Sequence, residues 1–475
     1  MLDIIIRGGT VVTPQGAGVW DVGIQGEQIV AVGAPGVLTE DAHRLIDATG
    51  KIVMPGGIDP HIHAKWHLPA PTGGVEGLSA GPEHVSMAAL HGGTTTLLDF
   101  ANWQPGETLQ QTIEKRDTGW RGQCHTDYSF HVMLMGEVPP DVLDQIPETI
   151  QSGYPSIKLF TTDITPSRKG RMVRFGTIWE AFQRIARHNG VAAIHAEDND
   201  LVMHMYEKLI REGRTGFENM AEVHSALSED MAFARVLRLA RHVEGAALYM
   251  VHVSAAAGVE AVSEARGRGL PIYGETLHHY ASFSSDAYKR PNGQIYHTYP
   301  SLKGEDDCRA LWDGMADGTI VSIATDGICT PLQVKVQGKR IDDTTGGNAG
   351  VEPRVGIMYT ETVAKRGMSL EKFVGLTSTN AARVFGLYPK KGAISPGSDA
   401  DIVLIDPAID RLLTKEDLHE TDYSPWEGWQ IRGWPVMTML RGKVVVENGQ
   451  LLIGPEYGRV VPRKVADAIL SGPAV

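Results

Sequence analysis

The stretch KIVMPGGIDPHIH, residues 51–63, decides how the rest of the chain is read. An apolar run passes through a Gly-Gly pair and reads as a strand, and Asp59, His61 and His63 then fall on alternate positions. Side chains two apart on a strand point to the same side, so the two imidazoles converge on one point. Convergent imidazoles suit a metal. An isolated His-x-His also recurs by chance, so its meaning depends on the rest of the chain.

Seven further β-rich runs come after GIDPHIH (57–63): TTTLLDF (94–100), DYSFHVMLM (127–135), SIKLF (156–160), VAAIHAE (191–197), ALYMVHVS (247–254), LPIYGET (270–276) and TIVSIATD (319–326). Between them lie segments of helical period such as TIWEAFQRIARHNG, MAFARVLRLARHVEG and VEAVSEARGRG, with apolar residues three and four apart and Gly near their ends. Strands alternating with helices imply parallel βα units, and eight such units make an α/β fold of the (β/α)8 TIM-barrel type. The flanks differ. Residues 1–54 and 388–475 hold short alternating runs broken by Gly, Pro and Asn-Gly turns, which read as antiparallel strands. The economical arrangement is a small discontinuous β-sandwich domain built from both chain ends, with a catalytic barrel over residues 55–387.

Composition agrees with one large globular unit plus a small one. Of 475 residues, 42% are hydrophobic and 21% charged, which excludes a disordered chain. A formal charge of −13 argues against nucleic acid or an anionic membrane as partner, since both demand basic patches. The N-terminus lacks the basic start and long apolar run of a signal peptide, and nothing approaches the length of a membrane span. Cys124, Cys308 and Cys329 are widely spaced and odd in number, which fits reduced thiols in the cytoplasm. All three read as packing residues, although Cys329 lies close to the candidate site.

Placed on the strand runs, the unusual polar residues form a pattern. His61 and His63 end the first, Lys158 lies in the fourth, His195 ends the fifth, His252 the sixth and Asp326 the eighth. Polar groups on apolar strands are costly unless paired or bound to metal. A lone core histidine is more often satisfied by a hydrogen bond than by a metal. Six such residues at the end of a barrel where active sites sit point to a metal-centred site.

Here the chain resembles the binuclear amidohydrolases, and within them the cyclic-amidase branch of hydantoinases, dihydropyrimidinases and allantoinases. The resemblance spans nearly the whole chain through MPGGIDPHIH, GGTTTLLDF, SIKLF, IHAED, VHVSAAAGVE, IATDG, GVEPRVGIMYTE, TSTNAARVFGLYPKKGAISPGSDADIVLID and VMTMLRGKVV. It implies two divalent metal ions, with zinc the best match to a mixed nitrogen and oxygen donor set. His61, His63 and Asp326 would hold one ion and His195 and His252 the second. Lys158 would bridge them as a carbamate formed with CO2, because a protonated lysine cannot ligate. A hydroxide bridging the metals would attack the amide carbonyl, with Asp326 as general base and then general acid. Asp59 would orient a ligand histidine or satisfy turn amides. The implied activity is hydrolysis of a carbon–nitrogen bond other than a peptide bond, in a small cyclic amide such as a hydantoin, dihydropyrimidine or related imide. The resemblance also implies a homotetramer or homodimer.

The departures from the family pattern concern the substrate. The Tyr usually found five residues after the lysine is Asp163, and an ionised carboxylate only accepts hydrogen bonds. Tyr299 takes the position of a family Ser in YPSLK, the family Asn falls near Gly346 with Asn348 beside it, and the loop AKWHLPA adds Trp66 and His67. These six are the candidate substrate contacts, with Asp163 alternatively capping a turn. Two other readings keep the fold: hydrolysis of a linear amide, carbamate or urea on the same site, or a non-enzymatic scaffold like the dihydropyrimidinase-like signalling proteins. The complete ligand set speaks against the scaffold.

Overall fold

The computed structural model describes residues 1–38, 41–68, 70–71 and 74–475. Its centre is eight strands: β1 (Gly57–Asp59), β2 (Thr94–Asn102), β3 (Asp127–Met133), β4 (Ser156–Phe160), β5 (Val191–His195), β6 (Ala247–Met250), β7 (Ile272–Leu277) and β8 (Ile320–Ala324). Each pairs in parallel with its neighbour in sequence, in unbroken order from β1 to β8. The ring closes just beyond the ladders, where Ile62 bridges Gly327 and the His63 amide donates to the Gly327 carbonyl at 2.8 Å. All eight runs read from the sequence are strands of this barrel.

The connecting helices form for local reasons. Phe175–Arg187 buries Ile178, Ala181, Phe182 and Ile185, a stripe of three- and four-residue spacing, and Gly190 lies just past its end. Thr108 and Gln111 form a capping box on Leu109–Thr118, and Ser225 caps Ala226–Ala240.

The chain ends share one nine-stranded sheet with a core of its own, including Ile6, Val22, Val53, Ile402 and Met439. The expectation of antiparallel strands needs one correction. Leu2–Thr13 pairs in parallel with Ala42–Asp47 and with Ile52–Pro55, because the legs Gly16–Gln25 and Gln28–Gly33 return the chain to its starting direction. Ile52–Pro55 also pairs antiparallel with Ile402–Ile405, and one residue later β1 begins. The outer sheet thus runs directly into the strand that leads to the histidine pair.

Barrel and sheet are also joined by a buried ion network. Lys391 reaches Asp127 at 2.5 Å, Asp401 at 2.8 Å and Asp399 at 2.9 Å, and Arg441 pairs with Asp127 as well. Asp127 is the first residue of β3, so this junction lies at the opposite barrel end from the C-terminal strand ends. Among the described residues no helix is long and apolar enough to cross a membrane.

Candidate metal centre

The six singled-out residues meet at the C-terminal ends of the strands. His61 and His63 lie just past β1, whose ladder stops at Asp59 because Pro60 has no amide hydrogen to donate. Their rings nonetheless converge, with centroids 5.3 Å apart. Lys158 is the third residue of β4, level with Met133 of β3 and Ala193 of β5. His195 ends β5, while His252 and Asp326 stand two residues beyond β6 and β8. The last two have φ of 42° and 49°, a left-handed backbone uncommon outside glycine and of the sort that collects at functional sites.

The distances bring these residues together. His61 Nε2 and His63 Nε2 lie 3.3 and 3.0 Å from Asp326 Oδ1, and these three residues could share one ion. The His195 and His252 rings are 4.5 Å apart, and the His61 and His252 rings are 5.5 Å apart. Lys158 Nζ lies 5.4 and 5.3 Å from the Phe100 and Phe160 ring centres, buried between them.

The hydrogen bonds prepare the rings for a metal. Glu275 Oε1 takes His61 Nδ1 at 2.8 Å, leaving Nε2 free. Glu197 Oε2 takes His195 Nε2 at 3.0 Å, leaving Nδ1 free, and its other oxygen takes His224 Nδ1 at 2.7 Å. A carboxylate behind a histidine fixes the tautomer and ring orientation that ligation needs. The donor set therefore fits a divalent metal centre, with His61, His63 and Asp326 as its closest group.

Electrostatics point the same way. Burial pushes the Lys158 amine down to about 7, against the pull of Glu275 and Asp326, so much of it is uncharged near neutrality. Burial also holds His61, His195 and His252 below the ordinary imidazole value, in the neutral form that ligates. Burial alone would raise Asp326, but the imidazoles of His61 and His63 outweigh it and keep the carboxyl well below its usual range. Thr298 Oγ1 donates to Asp326 Oδ2 at 2.8 Å.

These groups open onto a cleft. Of the candidate substrate contacts, Trp66, His67, Tyr299 and Gly346 line it. A Cβ on Gly346 would come within 2.4 Å of the Tyr299 ring, so the glycine is what lets that ring lie there. His67 is exposed and paired with Glu76 at 3.2 Å. Three residues of the loop that carries it, Pro69, Thr72 and Gly73, lie outside the described residues. Asn348 does not line the cleft; its side chain donates to the Thr325 carbonyl at 3.0 Å and so holds the loop after β8. Asp163 does not line the cleft either. Its Oδ1 accepts the amides of Gly170, Arg171 and Met172 at 2.9, 2.8 and 2.8 Å, the turn-capping alternative.

Asp59 also acts through backbone. Its carboxylate accepts the His61 amide at 3.3 Å and the Thr325 hydroxyl at 2.6 Å, tying β1 to β8 without touching an imidazole ring. Cys329 is buried against the Glu420 carbonyl, outside the cleft lining, and all three cysteines are free.

Four groups around the site escape a reading of the sequence by motif. Glu275 and Glu197 carry the same signal as Lys158, an acid within or next to an apolar strand run, and can be found by it. Arg168 and Arg171, which line the cleft, sit in a polar loop without periodicity and carry no such signal.

Comparison with known proteins places this arrangement. The sequence profile of the amidohydrolase family matches residues 52–445. The chain is 34% identical to a D-hydantoinase of Geobacillus stearothermophilus over 98% of both chains. Among solved structures, a D-hydantoinase from a Bacillus species superposes with a TM-score of 0.91 at 32% identity, covering 98% of this chain and 100% of the other. A dihydropyrimidinase from Brevibacillus agri gives 0.90 at 32% identity, covering 98% and 99%.

Proposed function

Because this chain belongs to the amidohydrolase family, we propose that it is a metal-dependent hydrolase that opens the carbon–nitrogen bond of a small cyclic amide, of the hydantoin or dihydropyrimidine type. The observation that carries this reading is the complete donor set, His61, His63, Lys158, His195, His252 and Asp326, gathered at the C-terminal strand ends with its supporting carboxylates in place.

His61, His63 and Asp326 would hold one divalent ion and His195 and His252 the other, with zinc the best match to these donors. When bound, the ions supply Lewis acidity, lowering the pKa of a water and polarising the substrate carbonyl. Lys158, as a carbamate, would supply oxygen donors to both sets. Its amine, uncharged in part near neutral pH, attacks CO2, and the proton released passes to solvent.

Asp326 is the proton carrier. With Oδ2 fixed by Thr298 and Oδ1 directed at the histidine pair, its carboxylate receives the proton of the attacking water. It then returns that proton to the departing ring nitrogen, so ring opening leaves an acid and an uncharged amine-side group. Three free thiols support a cytoplasmic setting, and the resemblance to hydantoinases supports a homo-oligomer.

The test joins metal analysis to a substrate panel. Purified protein should hold close to two divalent ions per chain and open hydantoin or dihydrouracil. A metal-replete protein inert on every cyclic amide, yet active on linear amides or ureas, would overturn the ring-opening assignment.

A further inference from the structure

The cleft has two chemically different ends. One is the histidine and carboxylate cluster. Beside it the wall is apolar, from Met133, Phe160, Ile164 and Ile328. Arg168 and Arg171 also face this space, and nothing in the proposed reaction uses them.

Both arginines are half-buried cations, and the Asp163 carboxylate, although near enough to favour the charged form of Arg171, forms no ion pair with it. Arg pairs occur nearby, Arg174 with Glu137 and Arg184 with Asp144, but among the described residues Arg168 and Arg171 enter no ion pair. The acids within reach are engaged elsewhere. Asp163 spends Oδ1 on three backbone amides, Asp342 pairs with Arg340 at 2.8 Å, and Asp343 accepts the Arg340 amide at 2.8 Å. The Arg168 guanidinium instead lies 5.1 Å over the Tyr299 ring. Burial, and after it the like charge of Arg168, pushes Arg171 down to about 9. Two guanidinium groups close enough to repel each other, in a partly dry wall, are an arrangement that an anion would relieve.

The loop that presents them is held firmly. Asp163 gathers the amides of residues 170–172, the Gly136 amide donates to the Arg171 carbonyl at 2.9 Å, and the Val173 amide donates to the Phe160 carbonyl at 2.9 Å. Gly170 takes φ of +96°, which lets the chain turn tightly enough to make these bonds. The Asp163 carboxylate thus builds the loop that carries the two arginines.

We propose that Arg168 and Arg171 form an anion subsite in the substrate cleft, and that the preferred substrate is a cyclic amide whose ring substituent ends in a carboxylate. The planar guanidinium fork matches a carboxylate bidentately, and the apolar wall accommodates the short chain between ring and charge. This proposal rests on the cyclic-amide reading of the same cleft.

The experiment uses the metal-loaded full chain and two matched probes, hydantoin-5-propionic acid and its carboxamide. The wild type should favour the acid by at least tenfold in kcat/KM, chiefly through KM, and added salt should shrink that preference. The Arg168→Gln/Arg171→Gln double variant should lose at least tenfold of the ratio, and Arg→Lys replacements should restore part of it. Calorimetric binding of the ring-opened products, N-carbamoylglutamate against N-carbamoylglutamine, reads the subsite without turnover and should lose the same preference in the double variant. A wild type indifferent to the charge, or a ratio and a binding difference unmoved by both replacements, overturns the subsite while hydrolysis of the neutral probe keeps the enzyme assignment. If neither ring opens, the cyclic-amide reading fails, and the calorimetric difference alone decides the subsite.

Discussion

Glu275 Oε1 stands 2.8 Å from His61 Nδ1 and also accepts the His252 amide at 3.0 Å. One oxygen therefore aligns a residue from each of the two proposed ion sites. Replacing a carboxylate in this position typically costs about 10–100-fold in metal affinity. We expect Glu275→Gln to lose metal on mild chelation, with activity recovered by excess divalent ion. Metal content after dialysis measures it, and retention equal to wild type would refute the positioning role.

Lys158→Ala should remove most bound metal and nearly all turnover. Acetate or propionate at high concentration should restore a fraction, by supplying carboxylate oxygens in the space that the side chain leaves. Mass spectrometry of native wild-type protein should find the mass of one added CO2, lost on acidification. An active, metal-replete wild type with an unmodified Lys158 would exclude the carbamate.

Asp326→Asn keeps the shape of the side chain and removes its capacity to carry a proton. The loss should fall on kcat, by roughly 10²–10⁴, with far less effect on substrate binding. Near-normal kcat would require a different base.

Asp163→Ala leaves the amides of Gly170, Arg171 and Met172 without their acceptor, a loss on the order of 1–3 kcal/mol for such a group. Hydrogen exchange of residues 170–172 should quicken, and KM should rise more than kcat falls. Asp163→Asn, which keeps an oxygen acceptor, should be milder. Unchanged exchange in the alanine variant would remove Asp163 from the support of this loop.

Glu420 gives a pH prediction away from the metals. Burial pushes its carboxyl up to about 7, although it accepts the amides of Gly350, Val351 and Glu352. A raised acid stabilises the fold fully below its unfolded value, and that contribution is lost as pH rises through about 7. The thermal midpoint should fall between pH 5 and 8 for this reason, and Glu420→Gln should flatten the fall. An identical pH slope in the variant would assign it to other groups.

The parts of the site that can be read from sequence are those where polarity contradicts its surroundings. Lys158 in SIKLF and His195 in VAAIH stand out because every neighbour is apolar, and both are central. Glu275 in IYGETL sends the same signal, masked by the more familiar histidines. The strand runs are legible because a parallel strand buried on both faces is nearly uniform in hydrophobicity. Arg168 and Arg171 are not, since their place depends on Asp163 collecting amides seven to nine residues away. The parallel course of Ala42–Asp47 is hidden for a similar reason: local pattern marks a strand but not the direction of its partner.

The pairing of Ile52–Pro55 with Ile402–Ile405 bears on how the chain is made. Synthesis runs from the N-terminus, so the strand leading to His61 and His63 leaves the ribosome long before the segment that flanks it. Nearly the entire barrel emerges in between. Until residue 405 is available, that strand keeps one edge open, and the first histidine pair hangs from an unfinished support. His61 and His63 thereby gain their finished support only after the segment up to residue 405 has been made.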